Sequence, residues 1–197
     1  TNATAELWED VVFIDVDATR SQQNGNSLVA TASDNLSSTG NSIEVTTFNI
    51  SPYVRHRLGS FADSEFRYTV DAVSNDANGL RTTSSSSTSE SSLRSGKYFS
   101  RVQWSLSYRR QRVITTSGSI NRFRNIEGEV RYQFNRSYGV VAKLGKQRNV
   151  FPSTQTPPGG RHWEMGLIWT PSARTSLDAR FGRQPFGRNH SMEFSHR

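Results

Sequence analysis

The sequence predicts an all-β chain of antiparallel strands, of the kind that forms a transmembrane barrel. Three observations carry that expectation. Segments of about ten residues alternate apolar and polar side chains with period two, the length and pattern of a tilted membrane-crossing strand. Only 33% of the residues are hydrophobic, too few for a water-excluding core in 197 residues, yet 11% are aromatic, which disordered chains are not. The longest apolar run, Val11 to Ile14, is broken at once by Asp15, so no stretch approaches the roughly 20 apolar residues of a spanning helix. A sheet with one apolar and one wet face reconciles all three.

The strands can be read in order. From Val12 to Thr19, one face carries Val12, Ile14, Val16 and Ala18, and the other Phe13, Asp15, Asp17 and Thr19. From Ser64, Phe66, Tyr68, Val70 and Ala72 oppose Glu65, Arg67, Thr69 and Asp71. Val102, Trp104, Leu106 and Tyr108 oppose Arg101, Gln103, Ser105, Ser107 and Arg109. Ile126, Val130, Tyr132 and Phe134 oppose Glu127, Glu129, Arg131 and Gln133. Tyr138, Val140, Ala142 and Leu144 then oppose Lys143 and Gln147, and Trp163, Met165, Leu167 and Trp169 oppose His162, Glu164 and Thr170. Leu177, Ala179 and Phe181 oppose Asp178 and Arg180, and a last segment sets Met192 and Phe194 against Ser191, Glu193 and Ser195. A soluble sandwich alternates too. The recurring opposite charges on the polar face, and Trp and Tyr near the ends of the apolar face, favour the barrel.

Connections test the topology, because outer-membrane barrels have short turns on one side and longer loops on the other. Short turns are expected at Leu58 to Asp63, Asn135 to Ser137 and Pro171 to Arg174, with a short connection on the other side at Pro185 to Arg188. Longer ones are expected at Arg20 to Ser42, from Ser74 onward, at Thr115 to Asn121 and at Asn149 to Gly160. Keeping the short turns on one side requires a strand hidden in the Ser-rich run, Ser84 to Arg94, with Glu90 and Arg94 on the polar face and a turn through Gly96 to Ser100. Composition alone would make that run a linker. The total is about ten strands in a single domain spanning 1–197.

The polar face is expected to line a lumen, through Arg55, Arg57, Glu65, Arg67, Asp71, Arg101, Arg109, Glu127, Glu129, Arg131, Lys143, Glu164, Asp178 and Arg180. Their charges nearly cancel. Such ladders cross-link strands, and opposed charged walls would also steer polar solutes. Much of the net charge of +7 therefore lies elsewhere, at Arg20, Arg81, Arg110, Arg112, Arg122, Arg124, Lys146, Arg148, Arg161, Arg183 and Arg188. Basic groups near an outer rim suit the phosphates of lipopolysaccharide and outer-membrane lipid.

No cysteine is present, which removes disulfides and thiolate sites, and His56, His162, His190 and His196 have no metal-ligand spacing. No cofactor or metal is expected. An outer-membrane hydrolase acting on lipid is the enzymatic alternative, since His162 and Glu164 stand among many serines, but nothing singles out a nucleophile. A soluble basic sheet that binds nucleic acid would need its aromatics beside its arginines, whereas here they share faces with Leu, Val and Ile, so no nucleic-acid partner is expected.

The segment NISPYVRHRLGSFADSEFRY, from Asn49 to Tyr68, resembles a hairpin of the outer-membrane β-barrel proteins associated with the PEP-CTERM/exosortase system. WTPSARTSLDARFGR from Trp169, followed by MEFSHR to Arg197, is similar to another part of that family. The resemblance implies a barrel accompanying exopolysaccharide export, with polysaccharide or export-machinery proteins as partners. It also implies a chain truncated at both ends, with a signal peptide before it and further strands beyond Arg197. On that reading the strands near Val12 to Thr19 and Asn189 to Arg197 lie apart as open edges, because an incomplete barrel cannot pair its first strand with its last.

Overall fold

The computed structural model describes residues 2–24, 42–77, 80–152 and 159–196. They form eleven strands: β1 (Asn2–Trp8), β2 (Val12–Asn24), β3 (Ser42–Leu58), β4 (Ala62–Ala77), β5 (Leu80–Ser95), β6 (Val102–Thr115), β7 (Ile120–Gln133), β8 (Tyr138–Val150), β9 (Gly160–Ser172), β10 (Thr175–Gln184) and β11 (Gly187–His196). No helix occurs among the described residues. The strands make one sheet in sequence order, β1 to β11, each bonded to its chain neighbours. Such a meander needs only hairpin connections, which a chain rich in Gly, Asn and Ser readily supplies.

The all-β, antiparallel expectation is met, with one strand more than counted. β1 precedes the segment at Val12, so the first end of the strand order is β1. From Asn2 to Glu6 its residues are small or polar, Ala3 and Ala5 against Asn2, Thr4 and Glu6, and its two large apolar residues, Leu7 and Trp8, are adjacent, so the segment carries almost no hydrophobic period. It pairs with β2 from Asn2 opposite Asp17 to Trp8 opposite Val12.

The Ser-rich run is a strand: β5 covers Leu80 to Ser95 and contains the whole of Ser84 to Arg94. Ser and Thr are tolerated there because their hydroxyls satisfy neighbours, as where Ser86 Oγ accepts from Gln111 Nε2 at 3.2 Å. Two connections are shorter than expected. β4 runs on to Ala77, which leaves only 78–79, themselves outside the described residues, before β5. β6 and β7 are joined by 116–119, where Gly118 sits at φ 76° and its N–H donates to the carbonyl of Thr115. Pro171 belongs to the end of β9 rather than to the turn that follows. The other short turns fall as expected; at 59–61, Gly59 adopts φ 60°, a conformation that costs an L side chain about 1–2 kcal/mol. Most of Arg20 to Ser42 and part of Asn149 to Gly160 lie outside the described residues.

The chain divides into two compact units, one of Thr1–Val54, Arg67–Ser89 and Gln111–Asn121, the other of Arg55–Phe66, Glu90–Arg110 and Arg122–Arg197. Neither has a conventional core. Among the described residues the buried hydrophobic side chains are Tyr53, Ala62 and Val141. Tyr53 and Val141 belong to the strand faces that carry the charges, by their alternation with Ser51 and Arg55 and with Lys143.

Candidate functional site

In the second unit, strand register sorts side chains into rows that run across β7 to β11. On one face Tyr132, Val140, Leu167, Ala179 and Met192 lie opposite one another in turn. The next row on that face is Val130, Ala142, Met165, Phe181 and His190. On the other face Glu129, Lys143 and Glu164 form one row, and Arg131, Val141, Gly166 and Arg180 another. The alternation read from the sequence is thus kept in register across five strands.

Exposure is the reverse of a soluble sheet. Leu144, Met165, Leu167 and Phe181 expose 67, 49, 46 and 51% of their surface. The side chains of Glu127, Glu129, Lys143, Glu164 and Arg180, by contrast, are only 12 to 27% exposed. A large apolar side chain left in water forfeits roughly 1.5–3 kcal/mol of burial, so a face of this kind is costly to leave in water.

The shielded charges are cross-linked. Lys143 Nζ lies 3.3 Å from Glu127 Oε1 and 4.0 Å from Glu129 Oε2, and Arg131 is 3.6 Å from Glu129. Arg180 holds Asp178 with both Nε and Nη2 at 2.8 Å and donates to Glu164 at 3.2 Å. Glycines make room for these long side chains. Gly145 separates Glu127 from His162 in one row, and the imidazole lies over it, Nε2 at 3.2 Å from Glu127 Oε2. Because a carboxylate only accepts, Nε2 carries the proton in that bond. Gly166 likewise lies beneath Arg180, where an added Cβ would stand 2.8 Å from Arg180 Cγ.

The other expected positions also lie on the charged face. In the second unit Arg55 pairs with Glu65 at 3.3 Å, Arg57 with Asp63 at 3.1 Å and Arg109 with Glu90 at 3.0 Å. Arg57 and Asp63 are largely exposed, and pairs of that kind are worth about 0–1 kcal/mol. In the first unit Arg67 donates to Asp15 at 2.8 Å and to Ser51 Oγ at 3.1 Å, with its guanidinium 3.8 Å above the Tyr53 ring. Tyr53 in turn stacks on Phe13 at 5.0 Å, and Asp71 accepts from Asn49. Arg101 is placed differently: it stands one residue before β6, exposed, with no ion pair among the described residues, while its carbonyl accepts from Gln133 N.

Two features escaped the sequence. His162, only 5% exposed, meets Glu127 on β7 rather than Glu164 nearby on its own strand, and no protein group among those described bonds its Nδ1. Glycines at charged-face positions of adjacent strands were the available signal. The second feature is a cavity of about 620 Å³ in the second unit, where Arg94, Gln103, Glu129 and Arg131 meet Phe99 and Trp104. It brings charged donors and acceptors beside aromatic faces. Arg94 therefore lies with the charged groups, as expected for β5.

The glycine gaps give a direct test. Gly145→Ala would drive a methyl group into the His162 ring, whereas Gly128→Ala, on the apolar face, would meet nothing nearer than 3.9 Å. In denaturant unfolding of the folded protein, Gly145→Ala should lose about 1–3 kcal/mol. Gly128→Ala should be neutral or gain about 0.5–1 kcal/mol. The opposite ranking would show that the ladder does not pack as described.

No protein-family model matches the chain, and no curated protein sequence matches it. Among solved structures, the crystal structure of the Pseudomonas putida toluene transporter TodX aligns with all of this chain and 72% of its own, at 10% identity and a TM-score of 0.45.

Proposed function

We propose that this protein is a bacterial outer-membrane β-barrel that acts as a porin-like channel or scaffold, without covalent catalysis or a cofactor. One observation carries the reading: on β7 to β10 the apolar face is exposed while Glu127, Glu129, Lys143, Glu164 and Arg180 on the other face are shielded, an arrangement stable in hydrocarbon and costly in water. Aromatic side chains support it. Trp163 packs edge-on against Phe181 at 5.9 Å, and Trp169 stacks on Tyr138 at 6.5 Å. Along β9 the two tryptophans are roughly 20 Å apart at the usual strand rise, the scale of an apolar band flanked by interfacial girdles.

The charged face is then the lumen wall. Its Glu127, Glu129, Lys143 and Arg131 network suits polar solutes, of which sugars are a class with hydroxyls for the charges. The resemblance of Asn49 to Tyr68 and of Trp169 to Arg197 to PEP-CTERM/exosortase-associated barrels supports a role in polysaccharide-related export.

Leu167→Arg separates lipid from water around the apolar face. In a bilayer it should cost about 2–4 kcal/mol of folding stability. At a water-exposed position the change would stay within about 0.5 kcal/mol, and that result would remove the membrane reading. Conductance of the protein in a planar bilayer tests the channel: steady current is expected, and a sealed lumen would leave the scaffold role.

A further inference from the structure

We propose that the second unit carries a binding site for the phosphate groups of outer-leaflet lipid headgroups, formed by Arg124, Lys146, Arg148, Arg161, Arg183 and Arg188. The inference rests on the membrane reading above and goes beyond it by naming a ligand and its residues. All six side chains are exposed and share the strand face of the apolar rows. Successive rows give their position. Beyond Met165 and Phe181 comes Leu144, Trp163, Arg183 and Arg188, then Ile126, Lys146 and Arg161, and then Arg124 and Arg148. Hydrocarbon side chains thus give way, across the row of Trp163, to rows in which cations predominate, with Ile126 and Val150 among them.

The register makes this cluster unfavourable without a ligand. Arg124 lies directly opposite Arg148, Lys146 opposite Arg161, and Arg183 opposite Arg188. Like charges directly opposite on one face repel. None of the six has an ion pair among the described residues. Every acid of β7 to β11, namely Glu127, Glu129, Glu164, Asp178 and Glu193, alternates onto the other face. No acid of β7 to β11 answers these cations, and an anion from outside the protein would.

Its source follows from where the cluster stands. The cations continue the apolar band at the end of the strands joined by 151–159, a connection longer than the turns 134–137 and 173–174 at the other end, and longer connections mark the outer side in outer-membrane barrels. An anion there sits at headgroup depth. Arginine pairs bidentately with phosphate, and five of the six residues are Arg. Phosphate fixed to a lipid is therefore the fitting occupant, and a phosphorylated glycolipid such as lipid A presents it twice per molecule.

The test titrates the protein, folded in zwitterionic micelles, with diphosphoryl lipid A. The triple variant Lys146→Gln, Arg161→Gln, Arg183→Gln should bind about 100-fold more weakly, each cation near an anionic surface contributing roughly fivefold, and its binding should lose most of its salt dependence. Arg174→Gln, in the turn at the opposite end of the β9–β10 hairpin, should bind as the parent does. Lipid A stripped of phosphate should bind the parent as weakly as lipid A binds the triple variant. Equal binding by parent and triple variant would overturn the proposal, as would displacement of lipid A by inorganic phosphate at matching concentration, which would mark a free-anion site. Either failure with folding intact leaves the membrane reading standing, whereas failure to fold in micelles at all would overturn both.

Discussion

An antiparallel sheet that exposes its hydrocarbon side chains on one face and links its charges on the other depends on the medium around it. Water would penalise every exposed Leu, Phe and Met on β7 to β11, while hydrocarbon would penalise any charge placed among them. Period-two alternation satisfies both demands with one residue step, and the unbroken backbone pairing from β1 to β11 leaves few polar groups for the solvent to satisfy between strands. That requirement explains the low hydrophobic content: half of each strand has no apolar task. Few hydrophobic side chains are buried among the described residues, because the apolar face is left exposed.

The charged face has its own packing problem, because Arg, Lys, Glu and His are longer than the spacing between strands. Glycine solves it locally. Gly145 lets His162 lie across β8 to reach Glu127, and Gly166 lets Arg180 extend beside Val141 while gripping Asp178 and Glu164. In the first unit an aromatic pair serves instead, with Arg67 laid on Tyr53 and reaching past it to Asp15. Both arrangements fix the long side chains against the sheet. A face held in this way presents its charges at defined positions.

Much of this was legible in the amino-acid sequence because alternation is local. Trp163 to Trp169 declares its two faces without reference to any other strand, and the Ser-rich β5 was found by requiring the short turns to share one side. The failures lie where locality ends. β1 has alanines where a period would show, and the shortness of the connections at 78–79 and 116–119 depends on how far β4 and β6 continue as strand through polar residues. The partner of His162 depends on the register of β7, β8 and β9 together, and a residue count along β9 points instead to Glu164. The basic cluster of β7 to β11 is similar: its cations are visible singly, but only register shows that they oppose one another.

Residues 163–169 of β9 offer the most direct measurement. The chain has no cysteine, so a nitroxide label attached through a cysteine introduced at each of these positions in turn reports one site only. With the protein in lipid bilayers, collision with oxygen should peak at Trp163, Met165, Leu167 and Trp169, and collision with a water-soluble nickel chelate should be low there and higher at Glu164, Gly166 and Ile168. Nickel accessibility that is high at Met165 and Leu167, or that shows no period of two, would contradict the assignment of the apolar face to lipid.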